Sequence, residues 1–156
     1  MNIRDCMKRD VVSIAAEATL AEAARVFVER HVGLLPVLDA ARRPIGALGL
    51  RELLTLELPA FVQLVEDVDF VHDFGAVETT RPDPKALAQP VTTLMRPATT
   101  VREDCGLLRA YALMQQGDLH DLPVVGTDGA LAGIASRVDV GTAILATWKA
   151  EGKPTG

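Results

Sequence analysis

The sequence contains two related stretches, G-L-L-P-V-L at residues 33–38 and H-D-L-P-V-V at residues 120–125. Each is an apolar run of strand length. They lie 87 residues apart, and at this offset the apolar pattern of residues 14–54 recurs without a gap, so that Leu20 falls on Leu107. A pattern that recurs at one fixed offset predicts two copies of the same structural unit.

The helices and strands are predicted in the same order in both copies. A short extended stretch (11–14 or 99–101) comes first, and a helix that Thr19 can cap in copy one follows it. The residues at helical spacing are Leu20, Ala24, Phe27 and Val28 in copy one and Leu107, Tyr111 and Met114 in copy two. The apolar strand, a turn and a second short strand come next, and a closing helix begins near Arg51 or Val138. The predicted unit is β-α-β-β-α.

The predicted domain organisation has four parts. Residues 1–58 form repeat 1 and residues 94–150 form repeat 2, while residues 151–156 form a tail. The connector, residues 59–93, begins with an apolar part that could extend the closing helix. It ends in a Pro-rich part that is typical of an irregular crossing segment.

Composition limits the classes of function. A formal net charge of -5 argues against a partner that is a nucleic acid, because phosphate binding needs clustered Lys and Arg. Cys6 and Cys105 are too few for a disulfide scaffold. We expect no membrane partner and a cytoplasmic location, because the N-terminus lacks a signal-peptide pattern and no apolar run is long enough to span a bilayer.

The stretch G-I-A-S-R-V-D at residues 133–139 places Ser136 and Asp139 where a strand leads into a helix. Two interpretations remain open. The side chains can cap the helix, or they can meet a ligand, because a carboxylate accepts hydrogen bonds from a ribose diol and a helix N-terminus suits a phosphate. We find no activated nucleophile, phosphate-binding glycine loop or metal-ligand spacing, so we predict no catalytic residue, no metal site and no catalytic cofactor.

Several signals occur in register in both copies: the openings that end in Met7 and Met95, the L-P-V strands, and the glycine before the last strand. Together with G-I-A-S-R-V-D they resemble a tandem pair of cystathionine-β-synthase-type (CBS) domains, a Bateman module. The resemblance implies an α/β (α+β) fold in which two β-α-β-β-α repeats pack about a pseudo-two-fold with a cleft between them. It also implies a regulatory protein that dimerises and binds an adenine-containing ligand.

The resemblance implies a set of ligand-binding residues. Ser136 and Asp139 would meet the ribose and phosphate, with Arg137 and Arg51 near the phosphates. The remaining residues, which would line the base or phosphate, are Thr99, Thr100, His120, Asp121 and Leu122. In copy one Gly49 and Glu52 replace the hydroxyl and the aspartate, so we expect one competent site, governed by copy two.

The resulting hypothesis is a stand-alone module that binds AMP, ADP, ATP or S-adenosylmethionine as a regulatory ligand. We expect a homodimer that signals in trans to another protein. The alternative is a structural dimerisation module without a ligand, which the loss of the hydroxyl in copy one favours. An enzyme is the least favoured class.

Overall fold

The computed structural model describes residues 1–57 and 82–151 and contains two three-stranded sheets, one in each repeat. Repeat 1 comprises β1 (Ile14–Ala15), α1 (Leu20–Arg30), β2 (Leu34–Leu38), β3 (Pro44–Gly49) and α2 (Leu50–Leu54). A short helix, α3 (Pro84–Leu87), precedes repeat 2, which comprises β4 (Val101–Arg102), α4 (Leu107–Gln116), β5 (Asp121–Val125), β6 (Leu131–Ser136) and α5 (Arg137–Glu151). The predicted β-α-β-β-α order is confirmed twice.

The two sheets have the same topology and register. In each sheet the middle strand pairs in parallel with the short first strand and antiparallel with the last. Ile14 faces Val37 in repeat 1, and Val101 faces Val124 in repeat 2. Each repeat has its own cluster of buried side chains beneath its sheet, so the recurring apolar pattern encodes two small cores.

The helix α1 begins where the sequence predicts, because the Thr19 hydroxyl accepts a hydrogen bond from the Glu22 backbone N–H at 3.2 Å. Its predicted apolar face is partly wrong. Ala23 is fully buried between Leu20 and Phe27, whereas Val28 is 78% exposed. Val28 follows Phe27 by one residue, about 100° round the helix, and this rotation carries it off the buried stripe.

Helix α4 shows the same correction. Leu107, Ala110 and Met114 are buried, whereas Tyr111 is 37% exposed. Ala110 has the position that matches Ala23 of repeat 1, and a small residue there lets the helix lie close to its sheet. In both repeats the leucine that opens the predicted stripe and the large residue two turns later are confirmed as buried, and the buried residue between them is the alanine one position before the predicted one.

The Pro-rich part of the connector is not irregular throughout. Asp83 caps α3 by accepting a hydrogen bond from the Lys85 backbone N–H at 2.9 Å, and Pro84 lies at the start of the helix. Proline suits a helix start because its missing N–H would have no partner there in any case. The predicted extension of the closing helix into the apolar part of the connector lies outside the described residues.

The repeats exchange their opening segments. The backbone of Lys8 pairs with Ile134 of β6, with N–O distances of 2.8 and 2.9 Å, and the backbone of Arg96 pairs with Ala47 of β3 at 2.9 Å in both directions. The opening segment of repeat 1 thus pairs with the last strand of repeat 2, and the opening segment of repeat 2 pairs with the last strand of repeat 1. Gly133 makes this approach possible, since a Cβ there would lie 2.8 Å from the Lys8 carbonyl oxygen.

No helix within the described ranges, 1–57 and 82–151, is both long enough and apolar enough to cross a membrane.

Candidate functional site

A cleft lies where the exchanged segment of repeat 2 meets repeat 1. Repeat 1 contributes Gly33, Leu34, Ala47, Gly49, Arg51 and Glu52 to its lining. The other side is formed by Arg96, Pro97, Thr99, Asp118, Leu119, His120, Asp121 and Pro123. The cavity volume is about 140 Å³, roughly ten times the 10–15 Å³ that one water molecule needs. The cleft can therefore admit part of a small organic molecule.

The Glu52 side chain is held in this cleft by hydrogen bonds from two directions. It lies in the first turn of α2, and the Gly49 backbone N–H hydrogen-bonds its carboxylate. The Nη1 atom of Arg96 donates to Oε1 at 2.9 Å. Burial alone would raise the pKa of Glu52, but the hydrogen bonds from Arg96 and the backbone, with the Arg96 charge, hold it below its ordinary value. The carboxylate is therefore ionised at neutral pH.

The cleft carries charges of both signs. Arg51 and Arg96 bring two guanidinium groups to its lining, and Arg51 is exposed. Asp121 is half-buried at the start of β5. Burial raises the pKa of its carboxyl, the His120 charge opposes this, and the negative charge of Asp139 adds to it. The arrangement offers a carboxylate for hydroxyl groups and two cations for an anion.

Ser136 and Asp139 cap each other at the start of α5. The Ser136 backbone N–H donates to Oδ2 of Asp139 at 2.9 Å, and the Asp139 backbone N–H donates to Oγ of Ser136 at 3.0 Å. This reciprocal pair is a capping box. Of the two interpretations of G-I-A-S-R-V-D, the cap is thus present in the fold, and neither residue lines the cleft described above.

Arg137 holds the loop that leads into β5. Its Nε donates to the Leu119 carbonyl at 2.6 Å, and its Nη2 pairs with Asp118 at 3.0 Å. Asp118 has a positive φ of 49°, the same left-handed geometry that His31 adopts at the matching position of repeat 1. The guanidinium therefore fixes a tight turn whose next residues, His120 and Asp121, line the cleft.

The structure brings only part of the predicted ligand-binding set together. Thr99, His120, Asp121 and Arg51 line the cleft. Of the others, Leu122 is fully buried in the core of repeat 2 and Thr100 is half-buried outside the lining.

Arg96 is the most consequential of the cleft residues that sequence reasoning missed, because it pairs with Glu52. It follows Met95 as Lys8 follows Met7, so the repeat relates the two basic residues. The pattern could have indicated a pair of related cations, but not that each segment crosses to the other repeat.

Within the part of the chain that the structure describes, no three His, Cys, Asp or Glu side chains are placed to hold a metal ion. Cys6 and Cys105 are free and partly buried, and burial raises the pKa of both thiols. Neither thiol has the lowered pKa of an activated nucleophile.

Comparison with protein families gives two matches to the CBS domain model, at residues 3–58 and 91–146. The chain belongs to the CBS domain family. The two matched segments are the two repeats of the structure, so the molecule is a CBS pair, as the sequence pattern predicted. Comparison with curated proteins finds no match.

Solved structures agree with a CBS pair along almost the whole chain. CBSX2 from Arabidopsis thaliana is 26% identical, with a TM-score of 0.72, over 95% of this chain and 96% of that one. CBSX2 in complex with AMP gives a TM-score of 0.71 at 26% identity, over 95% and 98% of the two chains.

Two more distant CBS structures share the fold. The CBS domain of a bacterial CNNM/CorC family Mg²⁺ transporter, in complex with ATP, is 18% identical, with a TM-score of 0.70 over 93% of this chain and 87% of that one. The CBS domain pair of protein MJ0100, in complex with 5-methylthioadenosine and S-adenosyl-L-methionine, is 14% identical, with a TM-score of 0.67 over 94% and 98%.

Proposed function

We propose that this CBS pair is a non-catalytic regulatory module that binds an adenine nucleotide, of the AMP, ADP, ATP or S-adenosylmethionine type, in the cleft between its repeats. The observation that carries the proposal is the ionised Glu52 carboxylate beside Arg51 and Arg96 in an open cleft. The complex of CBSX2 with AMP supports the ligand class, since that protein matches this chain over nearly its full length.

The lining suits the parts of a nucleotide. Glu52 can accept hydrogen bonds from the two hydroxyls of a ribose, as an acidic residue does in dinucleotide-binding folds. Arg51 and Arg96 can hold a phosphate. Leu34 and Pro97 offer apolar surface to the base. Thr99 supplies a hydroxyl at the same edge.

A second ligand position, governed by repeat 2, is part of the proposal. Asp139 uses Oδ2 in the capping box, and its other carboxylate oxygen could accept a hydrogen bond from a diol. Asp139 lies close enough to Asp121 to affect the pKa of that residue, and so does Lys8. Lys8 is thus the cation of this position, as Arg96 is in the cleft. In this proposal Arg137 positions the loop and does not touch the ligand.

We further propose that the module forms a homodimer and signals in trans to another protein. Apolar residues at helical spacing on α5 are exposed: Val138 at 71%, Leu145 at 48% and Trp148 at 64%. Leu108 on the neighbouring helix α4 is 74% exposed. Such a stripe is typical of an association surface. Sedimentation of the wild type and of Trp148→Glu tests the dimer, which the charge should dissociate.

The ligand is tested by calorimetric titration of the wild type with AMP, ADP, ATP, S-adenosylmethionine and NAD. Binding of at least one adenine compound with a single-site or two-site isotherm is expected. The competing function is a dimerisation scaffold without a ligand, which the Ser136–Asp139 capping box favours because the cap explains these two residues without a ligand. Folded protein that binds none of the five compounds would contradict nucleotide sensing and favour the scaffold.

A further inference from the structure

We propose that the Arg96–Glu52 ion pair competes with the ligand for the cleft and thereby selects nucleotides over uncharged nucleosides. The inference rests on the proposed nucleotide site and adds its specificity. The pair joins the two repeats, because Arg96 belongs to the exchanged segment and Glu52 to α2. The separation of Nη1 and Oε1 is 2.9 Å.

The carboxylate of Glu52 is already engaged in the absence of a ligand. Oε1 accepts a hydrogen bond from Arg96, and the Gly49 backbone N–H hydrogen-bonds the carboxylate. A ribose diol binds through the same carboxylate oxygens, so its hydroxyls compete with Arg96 for the lone pairs of Oε1.

The two side chains of the ion pair differ in their exposure to solvent. The Glu52 side chain is 16% exposed and the Arg96 side chain is 56% exposed. A nucleoside that takes Glu52 leaves Arg96 without an anion. A nucleotide offers Arg96 a phosphate at the same time, so one ion pair replaces another. The cleft should therefore favour ligands that carry both a diol and an anion.

The described residues of repeat 2 have no ion pair that corresponds to Arg96–Glu52. The ion pairs among the described residues are Arg9–Glu103, Arg96–Glu52 and Arg137–Asp118. Lys8, which corresponds to Arg96, forms none of them, and the carboxylate of Asp139 is held by its own capping box. The selection is therefore a property of the cleft that Arg96 lines.

The test is calorimetric titration of the wild type, Arg96→Met and Arg9→Met with AMP and with adenosine. Arg9→Met is the matched control, because Arg9 is exposed and pairs with Glu103 at 3.5 Å outside the cleft. In Arg96→Met we expect AMP to bind at least about 10-fold more weakly and adenosine to bind as well as or better than in the wild type. Arg9→Met should leave both affinities unchanged.

A parallel loss of both ligands in Arg96→Met, or an unchanged ratio of their affinities, would overturn the inference and leave the proposed function standing. A folded wild-type chain that binds neither adenosine nor any of the five adenine compounds of the first titration would overturn both. Arg96→Gln provides a second variant if Arg96→Met does not fold, since glutamine keeps a polar side chain and the backbone pairing with Ala47. It should shift the ratio in the same direction, and an unshifted ratio would again overturn the inference.

Discussion

Replacement of Glu52 by alanine should weaken AMP binding far more than the matching replacement of Asp139. The two residues occupy equivalent positions in the repeats, each in the first turn of the helix after the last strand. Only Glu52 lines the cleft described here, with Arg51 and Arg96 beside it. The two variants therefore test which repeat supplies the carboxylate that binds the ligand.

The expected magnitude follows from the contacts. A hydrogen bond to an ionised carboxylate contributes at least about 1.5 kcal/mol, so the two hydrogen bonds from a diol contribute about 3 kcal/mol. Glu52→Ala also removes the competing pair with Arg96, and a pair with an exposed partner is worth at most about 1 kcal/mol. The net loss is about 2 kcal/mol, which corresponds to roughly 30-fold weaker binding.

Calorimetric titration with AMP measures this ratio, and thermal unfolding of both variants shows whether each is folded. Asp139→Ala removes half of a capping box and should cost about 1 kcal/mol of stability while binding at the cleft persists. The opposite result, with AMP binding retained in Glu52→Ala and abolished in folded Asp139→Ala, would refute the assignment to the cleft. It would move the ligand to the position governed by repeat 2.

Three further predictions concern stability, each measured by thermal unfolding. Burial raises the pKa of Asp121 above its ordinary value of 3.8, so the ionised form is disfavoured in the folded state. Asp121→Asn should therefore raise the Tm at pH 7. A gain that persists below pH 3.8, where the carboxyl is protonated, would show that the burial of its charge is not the reason. Gly133→Ala should cost about 1–3 kcal/mol, because its Cβ would lie 2.8 Å from the Lys8 carbonyl oxygen, whereas Gly141→Ala, with nothing within 4 Å, should be neutral or stabilising. Thr19→Ala should cost about 1 kcal/mol by removing the bond to the Glu22 N–H, and an unchanged Tm would show that the cap contributes nothing.

The fold could be predicted from the sequence because the apolar pattern recurs at one offset. Strand Leu34–Leu38 and the strand ends at Gly49 and Ser136 follow from local pattern and turn chemistry. One residue of each helix face is predicted wrongly, because periodicity alone does not show that Ala23 is buried and Val28 is exposed. A close contact between a helix and its sheet requires a small residue, and the pattern of apolar residues does not show where such a contact lies.

The site was harder to predict because it depends on pairing between distant segments. The resemblance to CBS domains implies one ligand site that contains Thr99, Ser136 and Asp139. In the structure the exchange of segments carries Thr99 and Arg96 to the repeat 1 side, beside Glu52. Nothing local to residues 96–99 indicates which strand they will join, since the backbone hydrogen bonds of that pairing are independent of side-chain identity.

The exchange of opening segments also determines how the chain unfolds. Each last strand, β3 and β6, receives backbone hydrogen bonds from a segment that belongs to the other repeat. If one repeat were to unfold alone, it would withdraw its own segment and leave an unpaired strand edge on its neighbour. The two halves should therefore melt in a single cooperative transition. A chain cleaved within the connector should remain associated as two complementary fragments.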